Sequence, residues 1–198
     1  MVIVEDHPLM RKSLAGFFAG SGRWLVLGTA GSLEEAKTLL SAPETTRADI
    51  LLLDIHLEKD WGLDIIPWIK RQKREKSPAV VVYSAFDDYA HVSAALSLGI
   101  RGYVTKNQSE TDLEAALNTV LAGRVYMDRS AELKLQSAAG AISLLTRREA
   151  DIFTLVKDGF SNQQIAEKLS ISRRTVENIL HCIYDKTGIP SRLELQKM

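Results

Sequence analysis

The first 121 residues alternate short apolar runs with segments of helical periodicity, and this alternation constrains the fold more than any other feature. The apolar runs cover residues 2–4, 24–30, 49–53, 79–83 and 102–104. Helical spacing of apolar residues follows each run, at about 9–18, 33–40, 63–74, 87–98 and 110–122. Short strands that alternate with helices form parallel sheets with helices on both faces. The sequence therefore predicts an α/β fold with a doubly wound, five-stranded parallel sheet.

Polar side chains follow these runs at the point where each predicted strand ends. Glu5 and Asp6 follow the first run, Asp54 the third, Ser84 the fourth and Lys106 the fifth. Carboxyl ends of parallel strands meet at one edge of the sheet, where such folds bind ligands. Three carboxylates at close range need a compensating cation, and an all-oxygen ligand set favours Mg²⁺. A lysine, a hydroxyl group and a divalent cation together can bind a phosphoryl group.

Residues 1–121 resemble the receiver domain of two-component response regulators. The resemblance is carried by Val4-Glu5-Asp6-His7-Pro8, Leu53-Asp54-Ile55 with Gly62 eight residues after the aspartate, Tyr83-Ser84-Ala85, and Gly102-Tyr103-Val104-Thr105-Lys106. It implies a flavodoxin-like receiver fold with Asp54 as the phosphoacceptor. It also implies an Mg²⁺ site made by Glu5, Asp6, Asp54 and the backbone carbonyl of His56. Ser84 and Tyr103 would be the switch residues, and Lys106 would bind the phosphoryl group.

The segment after Asp54 departs from the receiver pattern. Leu57-Glu58 stands where relatives usually carry Met-Pro, so we expect a loop of different shape. His56 and Phe86 occupy positions that flank the path of hydrolytic water in receivers, and two rings there would exclude water. We therefore expect slow autodephosphorylation. His7 is expected to be structural or to cap a helix.

Beyond residue 121 the strand pattern ends. Residues 122–144 have weak periodicity and are expected to form a linker, helical in part around 131–135. Residues 145–198 form a second, smaller all-α domain: Thr146, Ser161 and Ser172 are expected to cap helices over 147–157, 162–169 and 173–187, and a short helix starts near Ser191.

Residues 161–186 have the pattern of a helix-turn-helix. Apolar residues line one face of each helix, and small Ala166 allows the two helices to approach closely. The opposite face of the second helix carries polar residues near its N-terminus, where a major groove can be read. The candidate DNA-binding residues are Asn162, Ser172, Arg173, Arg174, Thr175, Glu177, Asn178 and His181. Periodicity alone leaves open a helical hairpin that packs on a protein partner.

Residues 145–192 also resemble the LuxR/FixJ-type DNA-binding domain. The resemblance is carried by Leu145-Thr146-Arg147-Arg148-Glu149, Gly159-Phe160-Ser161-Asn162, Ile165-Ala166, Ser172, Thr175-Val176 and Ile183-Tyr184-Asp185-Lys186-Thr187-Gly188. Relatives commonly carry lysine at the position of Glu177, which can accept a hydrogen bond from cytosine but repels phosphates. We therefore expect an unusual operator preference.

Both resemblances together imply a DNA-binding transcriptional response regulator and not an enzyme. Its expected partners are a sensor histidine kinase, a second copy of the chain and double-stranded DNA, read in the major groove at two half-sites. Leu193 and Leu195 are candidates for the dimer surface. A single cysteine, Cys182, fits a reducing cytoplasm, and no apolar run is long enough for a membrane span. With the two resemblances, this implies a bacterial cytoplasmic protein that does not bind membranes.

Two other functions remain open at this stage. The receiver could serve as a dimerisation or ligand module that is never phosphorylated, which the Leu57-Glu58 departure favours. Asp54 could instead be the nucleophile of a phosphatase-like enzyme, although position 56 is a histidine where such enzymes carry a second carboxylate.

Overall fold

The computed structural model describes residues 1–72, 76–143 and 145–196, and these form two compact units. The first unit consists of Met1–Phe86 and Leu98–Asp128. The second consists of Asp87–Ser97 and the described part of Arg129–Met198. Within the described residues no helix is both long and apolar enough to cross a membrane.

The first unit is built on one parallel sheet. Its strands are β1 (Val2–Val4), β2 (Gly28–Ala30), β3 (Ile50–Leu53), β6 (Ala79–Ser84), β7 (Gly102–Thr105) and β8 (Tyr126–Met127), in the order β2-β1-β3-β6-β7-β8. A two-stranded hairpin, β4 (His56–Leu57) and β5 (Asp60–Trp61), is separate from this sheet. The predicted parallel sheet is confirmed, with one strand more than the five expected.

Four helices belong to the first unit: α1 (Pro8–Gly20), α2 (Leu33–Ser41), α3 (Ile65–Arg71) and α5 (Glu110–Leu121). Because strand side chains alternate between faces, one face of the sheet buries Ile3, Leu52 and Val81 against apolar residues of α1 and α5 such as Phe18 and Leu117. The intervening strand residues are buried as well, so both faces are covered, as the predicted parallel sheet requires.

Several predicted boundaries in this unit were wrong. The second strand starts at Gly28 and not at residue 24, because β1 starts only at Val2; of residues 24–27, Leu25 and Leu27 bond the backbone of Met1. A 3₁₀ turn at Gly62–Asp64 precedes α3, and α3 ends at Arg71 because Gln72 has an extended backbone. Residue 74, the predicted end of this helix, lies outside the described residues.

The second unit is all helical. It contains α4 (Tyr89–Ser97), α6 (Arg129–Ser143), α7 (Arg147–Lys157), α8 (Asn162–Leu169), α9 (Arg173–Thr187) and α10 (Arg192–Gln196). Its core joins α7, α8, α9 and α10 through residues such as Ile152, Ile165, Val176, Ile183 and Leu195.

The starts of α7, α8 and α9 agree with the sequence prediction. Thr146, Ser161 and Ser172 each accept a hydrogen bond from the backbone N–H three residues on, as helix N-caps do. Helix α9 ends at Gly188, whose left-handed backbone (φ 69°) suits a residue without Cβ. The segment expected to be a linker contains more structure than predicted, since strand β8 and the whole of α6 lie within 122–144.

Candidate functional site

The acidic residues meet at the carboxyl edge of the sheet because β1 and β3 are hydrogen-bonded neighbours. The N–H of Asp54 donates to the carbonyl of Val4 at 2.9 Å, which sets the end of β3 beside the end of β1. One carboxylate oxygen each from Glu5, Asp6 and Asp54, with a ring nitrogen of His7, lies within 4.8 Å of the others. The structure thus brings together the three carboxylates that the sequence singled out.

Lys106 supplies the positive charge to this edge. Its Nζ lies 2.6 Å from Oδ2 of Asp54 and 2.7 Å from Oε2 of Glu5. All three side chains are largely buried. Strand pairing places Lys106 there, since its backbone N–H donates to the carbonyl of Ser84 at 2.7 Å, just beyond the last β6–β7 pair.

Burial and charge oppose each other in the titration of these groups. Burial raises the pKa of Asp54 above its usual value, although the hydrogen bond from Lys106 lowers it. Burial alone would lower the pKa of Lys106, but hydrogen bonds to Asp54 and Glu5 hold that pKa above its usual value. The lysine therefore stays charged, and the Asp54 carboxylate lies beside a permanent cation.

Asp6 has an oxygen that is available to a ligand. Its Oδ2 accepts the backbone N–H of Glu58 at 2.9 Å. Its Oδ1 is buried and lies 2.8 Å from Nδ1 of His7, but no described residue gives it a hydrogen bond of good geometry. Burial raises the pKa of Asp6, yet the Glu58 N–H and His7 hold it below its usual value. An ionised carboxylate with a buried, unsatisfied oxygen, in an otherwise oxygen-rich group, fits a hard divalent cation.

His7 precedes α1 but its side chain caps no helix. The ring is largely exposed, and its Nδ1 lies 3.2 Å from Oε1 of Glu5. His7 thus occupies the N-cap position of α1 through its backbone alone, so of the two expected roles the structural one fits its side chain. The ring instead lies against the acidic pair, and it was absent from the predicted metal site.

The departure at Leu57-Glu58 lies in the hairpin β4–β5. Glu58 has a positive φ of 22°, which closes the turn, and its N–H reaches Asp6. The carboxylate of Asp60 accepts the N–H of Leu33 at 3.3 Å, near the start of α2. Contacts with Asp6 and with Leu33 thus fix the residues after Asp54 from two sides. The sequence predicted only that the loop here would differ in shape.

Three aromatic rings cluster on the segments that follow Asp54 and Ser84. His56 lies 4.9 Å from Trp61 and 4.5 Å from Phe86, between ring centroids. Pairs at such distances attract each other in addition to excluding water. Trp61 was not singled out from the sequence, because only the hairpin pairing of His56 with Trp61 brings it here.

Ser84 and Tyr103 lie on the neighbouring strands β6 and β7 and are fully buried. The Tyr103 hydroxyl donates to the carbonyl of Phe86 at 2.6 Å, and the Ser84 hydroxyl accepts the N–H of Phe86 at 3.3 Å. Both hydroxyl groups therefore bond the same segment after β6, on the side of the sheet edge that carries Lys106.

Two further residues shape this edge, and neither had a predicted chemical role. Gly62 packs against the backbone of the phosphoacceptor candidate: a Cβ at this position would lie 3.2 Å from the carbonyl carbon of Asp54 and 3.0 Å from the carbonyl oxygen of Ile55. Asp128, just before α6, is buried, and its Oδ2 accepts the N–H of Thr105 at 2.6 Å. No sequence signal indicated Asp128, because it lies in the predicted linker.

The second unit presents α8 and α9 as a helix pair with a polar outer face. Arg173, Arg174, Thr175, Asn178 and His181 are exposed on α9, while its apolar positions are buried. The exposed set therefore agrees with the face predicted from periodicity.

Four of the candidate DNA-binding residues already have partners within this unit. Arg173 Nε lies 2.8 Å from Oε1 of Glu177, one helical turn apart. The hydroxyl groups of Ser172 and Thr175 lie 2.8 Å apart. These contacts order the N-terminal turn of α9, and Glu177 neutralises the charge of one arginine on its exposed face.

Asn162 also has a partner, since its Oδ1 accepts a hydrogen bond from Arg192 at 2.6 Å. The contact holds the start of α8 against the start of α10. Arg192 is half-buried, also bonds the carbonyl of Phe160, and was not predicted as a site residue.

Contacts away from this face hold α9 in place. Lys186 bonds both carboxylate oxygens of Glu149 at 2.8 Å, and Glu149 closes the capping box of Thr146. The hydrogen bond from Lys186 holds the pKa of Glu149 below its usual value. Leu195 is fully buried in the helical core, so its prediction as a dimer-surface residue is wrong, whereas Leu193 is exposed.

Fold, acidic site and helix pair together define a two-component response regulator. Residues 1–118 match the family model of the response regulator receiver domain, and residues 143–198 match that of the bacterial regulatory proteins of the luxR family. The chain belongs to the response regulator receiver family, and its C-terminal region makes it a LuxR-type, DNA-binding member. The LuxR-type proteins that it resembles are DNA-binding transcription regulators and not classical enzymes.

Named relatives are similar to nearly the whole chain. The chain is 27% identical over 202 residues to the nitrate/nitrite response regulator protein NarL of Escherichia coli (strain K12), covering 98% of this chain and 91% of the relative. It is 29% identical to the DNA-binding transcriptional activator DevR/DosR of Mycobacterium tuberculosis, covering 97% and 89%. A solved structure of two RcsB dimers bound to two parallel DNAs is similar with a TM-score of 0.72 and 25% identity, covering 98% and 94%.

Proposed function

We propose that transfer of a phosphoryl group to Asp54 promotes dimerisation of this regulator and binding of its α9 helices to DNA. The observation that carries the proposal is the group at the sheet edge, where Lys106 Nζ lies 2.6 Å from the Asp54 carboxylate. A carboxylate beside a fixed cation and two further carboxylates is suited to receive phosphorus and to stabilise the transferred charge.

The chemistry follows from the contacts of Asp54. A carboxylate oxygen of Asp54 attacks the phosphorus of a phosphohistidine or a small phosphodonor, an O–P bond forms, and the donor's bond to phosphorus breaks. The donor leaves with the electron pair of that bond and takes up a proton. Lys106 exchanges its ion pair with Asp54 for one with the new phosphoryl oxygens.

Mg²⁺ is the expected cofactor of this step. Glu5, Asp6, Asp54 and the backbone carbonyl of His56 would hold it, and the unsatisfied Oδ1 of Asp6 supports this. The cation supplies charge neutralisation between the incoming phosphoryl group and the carboxylates.

Ser84 and Tyr103 would carry the signal onward. Both hydroxyl groups bond Phe86, so a Ser84 hydroxyl that turned toward phosphoryl oxygen would release one of two bonds on that residue. This exchange of hydrogen bonds would shift the equilibrium between the inactive and active conformations of the receiver. The shift equals the difference in bonding free energy between the two conformations.

DNA recognition would use the exposed face of α9 in the major groove. The proposed contacts are Asn162, Ser172, Arg173, Arg174, Thr175, Glu177, Asn178 and His181, with Asn178 and His181 toward bases. A dimer would read two half-sites, as expected for a protein of this kind. The assembly of RcsB dimers on DNA supports this arrangement for a relative.

The remaining expectations complete the proposal. Residues 1–121 would act as the receiver, 122–144 as the linker and 145–198 as the DNA-binding domain. The partners are a sensor histidine kinase and a second copy of the chain. A cytoplasmic location accords with DNA as the target.

The aromatic cluster suggests a long-lived phosphoryl group. His56, Trp61 and Phe86 contact one another on the segments that follow Asp54 and Ser84, and these rings would limit the access of water to a phosphoryl group on Asp54. We expect the double variant His56→Asn, Phe86→Ala to shorten the half-life of the phosphorylated protein, measured by intact mass after removal of the donor. Leu121→Ala, at an exposed residue of α5, is the control. An unchanged half-life in the double variant would contradict this expectation.

One experiment tests the proposed function. The full chain is incubated with Mg²⁺ and a small phosphodonor, the modified residue is located by mass spectrometry, and binding to a DNA fragment carrying two half-sites is measured at fixed salt. We expect modification of Asp54 and tighter DNA binding, with neither in Asp54→Asn. Absence of modification, or modification that leaves DNA binding unchanged, would refute the proposal.

A further inference from the structure

Strand β8 adds a sixth strand to the sheet edge formed by β7, the strand that leads to Lys106. Gly102 pairs with Tyr126 and Tyr103 with Met127 in parallel register. The backbone N–H of Tyr126 donates to Arg101 at 3.0 Å, and that of Asp128 donates to Tyr103 at 3.0 Å. The chain after α5 therefore returns along the strand that carries the switch tyrosine.

The side chain of Asp128 completes this contact. The residue is 2% exposed, and its Oδ2 accepts the N–H of Thr105 at 2.6 Å. On the opposite side, Thr105 pairs with Ser84 in β6, and the next N–H along the chain donates to the Ser84 carbonyl. The last residue of β7 is thus hydrogen-bonded on both sides, and one of the two partners is a carboxylate that lies outside the four strands that carry the site residues, β1, β3, β6 and β7.

The backbone at Thr105 determines where the Lys106 side chain starts. Lys106 reaches Asp54 and Glu5 at 2.6 and 2.7 Å, and its four-carbon chain has many rotamers. A long side chain forms two short contacts in most molecules only when its backbone is fixed. Motion of the backbone would lower the fraction of molecules in which Lys106 contacts both acids. The hydrogen bond from the Thr105 N–H connects Asp128 to the backbone that carries Lys106.

We propose that Asp128 is a positioning residue for phosphoryl transfer at Asp54, acting through Thr105 and Lys106. The proposal rests on the proposed function, because it assigns a further residue to the same site. The coupling between the two sites is reciprocal. A phosphoryl group on Asp54 that changes the contacts of Lys106 must also change the stability with which β8 and Asp128 pack on β7. The free energy of this effect equals that by which the packing of β8 changes the site. Asp128 directly precedes α6, so this change would act where the linker helix begins.

The test uses the full-length protein and three variants. Asp128→Ala removes the acceptor, and Asp128→Asn keeps an oxygen that can accept the Thr105 N–H. Asp112→Ala is the matched control, since Asp112 also accepts a backbone N–H at a helix start, in the capping box of α5. The rate of phosphorylation is measured against the concentration of a small phosphodonor, and Mg²⁺ affinity is measured by titration of tryptophan fluorescence.

We expect Asp128→Ala to lower the maximal phosphorylation rate by about tenfold, since a displacement well under 1 Å of a reacting group has effects of this order. Mg²⁺ affinity should change less than about twofold, because the carboxylates proposed to bind the ion directly follow β1 and β3 and not β7. Asp128→Asn should restore most of the rate, and Asp112→Ala should behave as wild type. A general loss of structure would lower rate and Mg²⁺ affinity together, and that result would overturn the proposal, as would an Asp128→Asn variant as slow as Asp128→Ala.

A double-mutant cycle with Lys106→Ala separates this proposal from the proposed function. If Asp128 acts through Lys106, then Asp128→Ala adds little to the effect of Lys106→Ala, on the phosphorylation rate and on the free energy of unfolding. Additive effects would overturn the positioning role. If the wild-type protein accepts no phosphate at Asp54, the proposed function fails, and the unfolding cycle still decides whether the two residues are coupled.

Discussion

Replacing Gly62 by alanine tests how closely the hairpin packs on the phosphoacceptor. Gly62 is buried, and its N–H donates to the carbonyl of Ile55 at 2.6 Å. Its φ is not positive, so the backbone conformation itself is open to any residue. The constraint is steric, because an added Cβ would lie 3.2 Å from the carbonyl carbon of Asp54 and closer still to its oxygen.

The magnitude follows from this overlap. Non-bonded carbon contacts are comfortable at about 3.5–4.0 Å, so the backbone at Asp54 or at the hairpin must move by up to about 1 Å. Overpacking of this kind costs about 1–3 kcal/mol, and we expect the upper half of that range because backbone, rather than a side-chain end, must yield. A displacement of about 1 Å at Asp54 would lower the phosphorylation rate on the order of 10- to 100-fold.

Urea unfolding and phosphorylation by a small phosphodonor measure the two effects in one protein. Gly16→Ala is the control, because Gly16 is exposed in α1 and no atom lies within 4 Å of an added Cβ. Alanine should stabilise that helix by about 0.5–1 kcal/mol and leave phosphorylation unchanged. A Gly62→Ala protein within about 0.5 kcal/mol of wild type and phosphorylated at the wild-type rate would refute the packing argument.

Three further predictions concern the helical unit. Lys186 holds the pKa of Glu149 below its ordinary 4.5, so this contact stabilises the fold above about pH 4.5 and is lost as the pH falls through the lowered pKa. Hydrogen exchange of the α7 amides should therefore rise at acid pH in the wild-type protein. The Glu149→Gln variant should show no such rise. Glu177→Lys should strengthen binding to random DNA at matched salt, because it adds a phosphate contact and releases Arg173 from its ion pair. The slope of log K against log salt concentration should become steeper by about 1–2. Unchanged binding would contradict this prediction. Leu195→Ala should destabilise this unit by about 2–5 kcal/mol, as for a core leucine, whereas a dimer-surface role would leave thermal unfolding unchanged and weaken only self-association.

Much of the fold could be predicted because the signals were local. Apolar runs of four or five residues with β-branched members, such as 79–83, identify buried strands without knowledge of their partners. Helix starts at Thr146, Ser161 and Ser172 were recognisable because a cap bonds a backbone group only three residues away. The family resemblance added the roles of individual residues at the sheet edge.

What could not be predicted depended on pairing between distant segments. Residues 126–127 have too little length and apolar character to be recognised as a strand, and they become one only because the edge of β7 offers hydrogen bonds there. The β4–β5 hairpin likewise depends on contacts of Glu58 with Asp6 and of Asp60 with Leu33. Such contacts leave no periodic mark on the sequence.

The sequence by itself determined the class of this protein: an acidic edge with Lys106, followed by a helix-turn-helix, specifies a response regulator because each motif has a fixed residue order. Only the tertiary structure decided that Gly62 packs on the backbone of Asp54, that Trp61 contacts the ring of His56, and that Asp128 bonds the end of β7. The physical reason is the range of the interactions. Caps, periodicity and motif spacing act within a few residues, whereas Asp128 reaches Thr105 across 23 positions only after the sheet has formed.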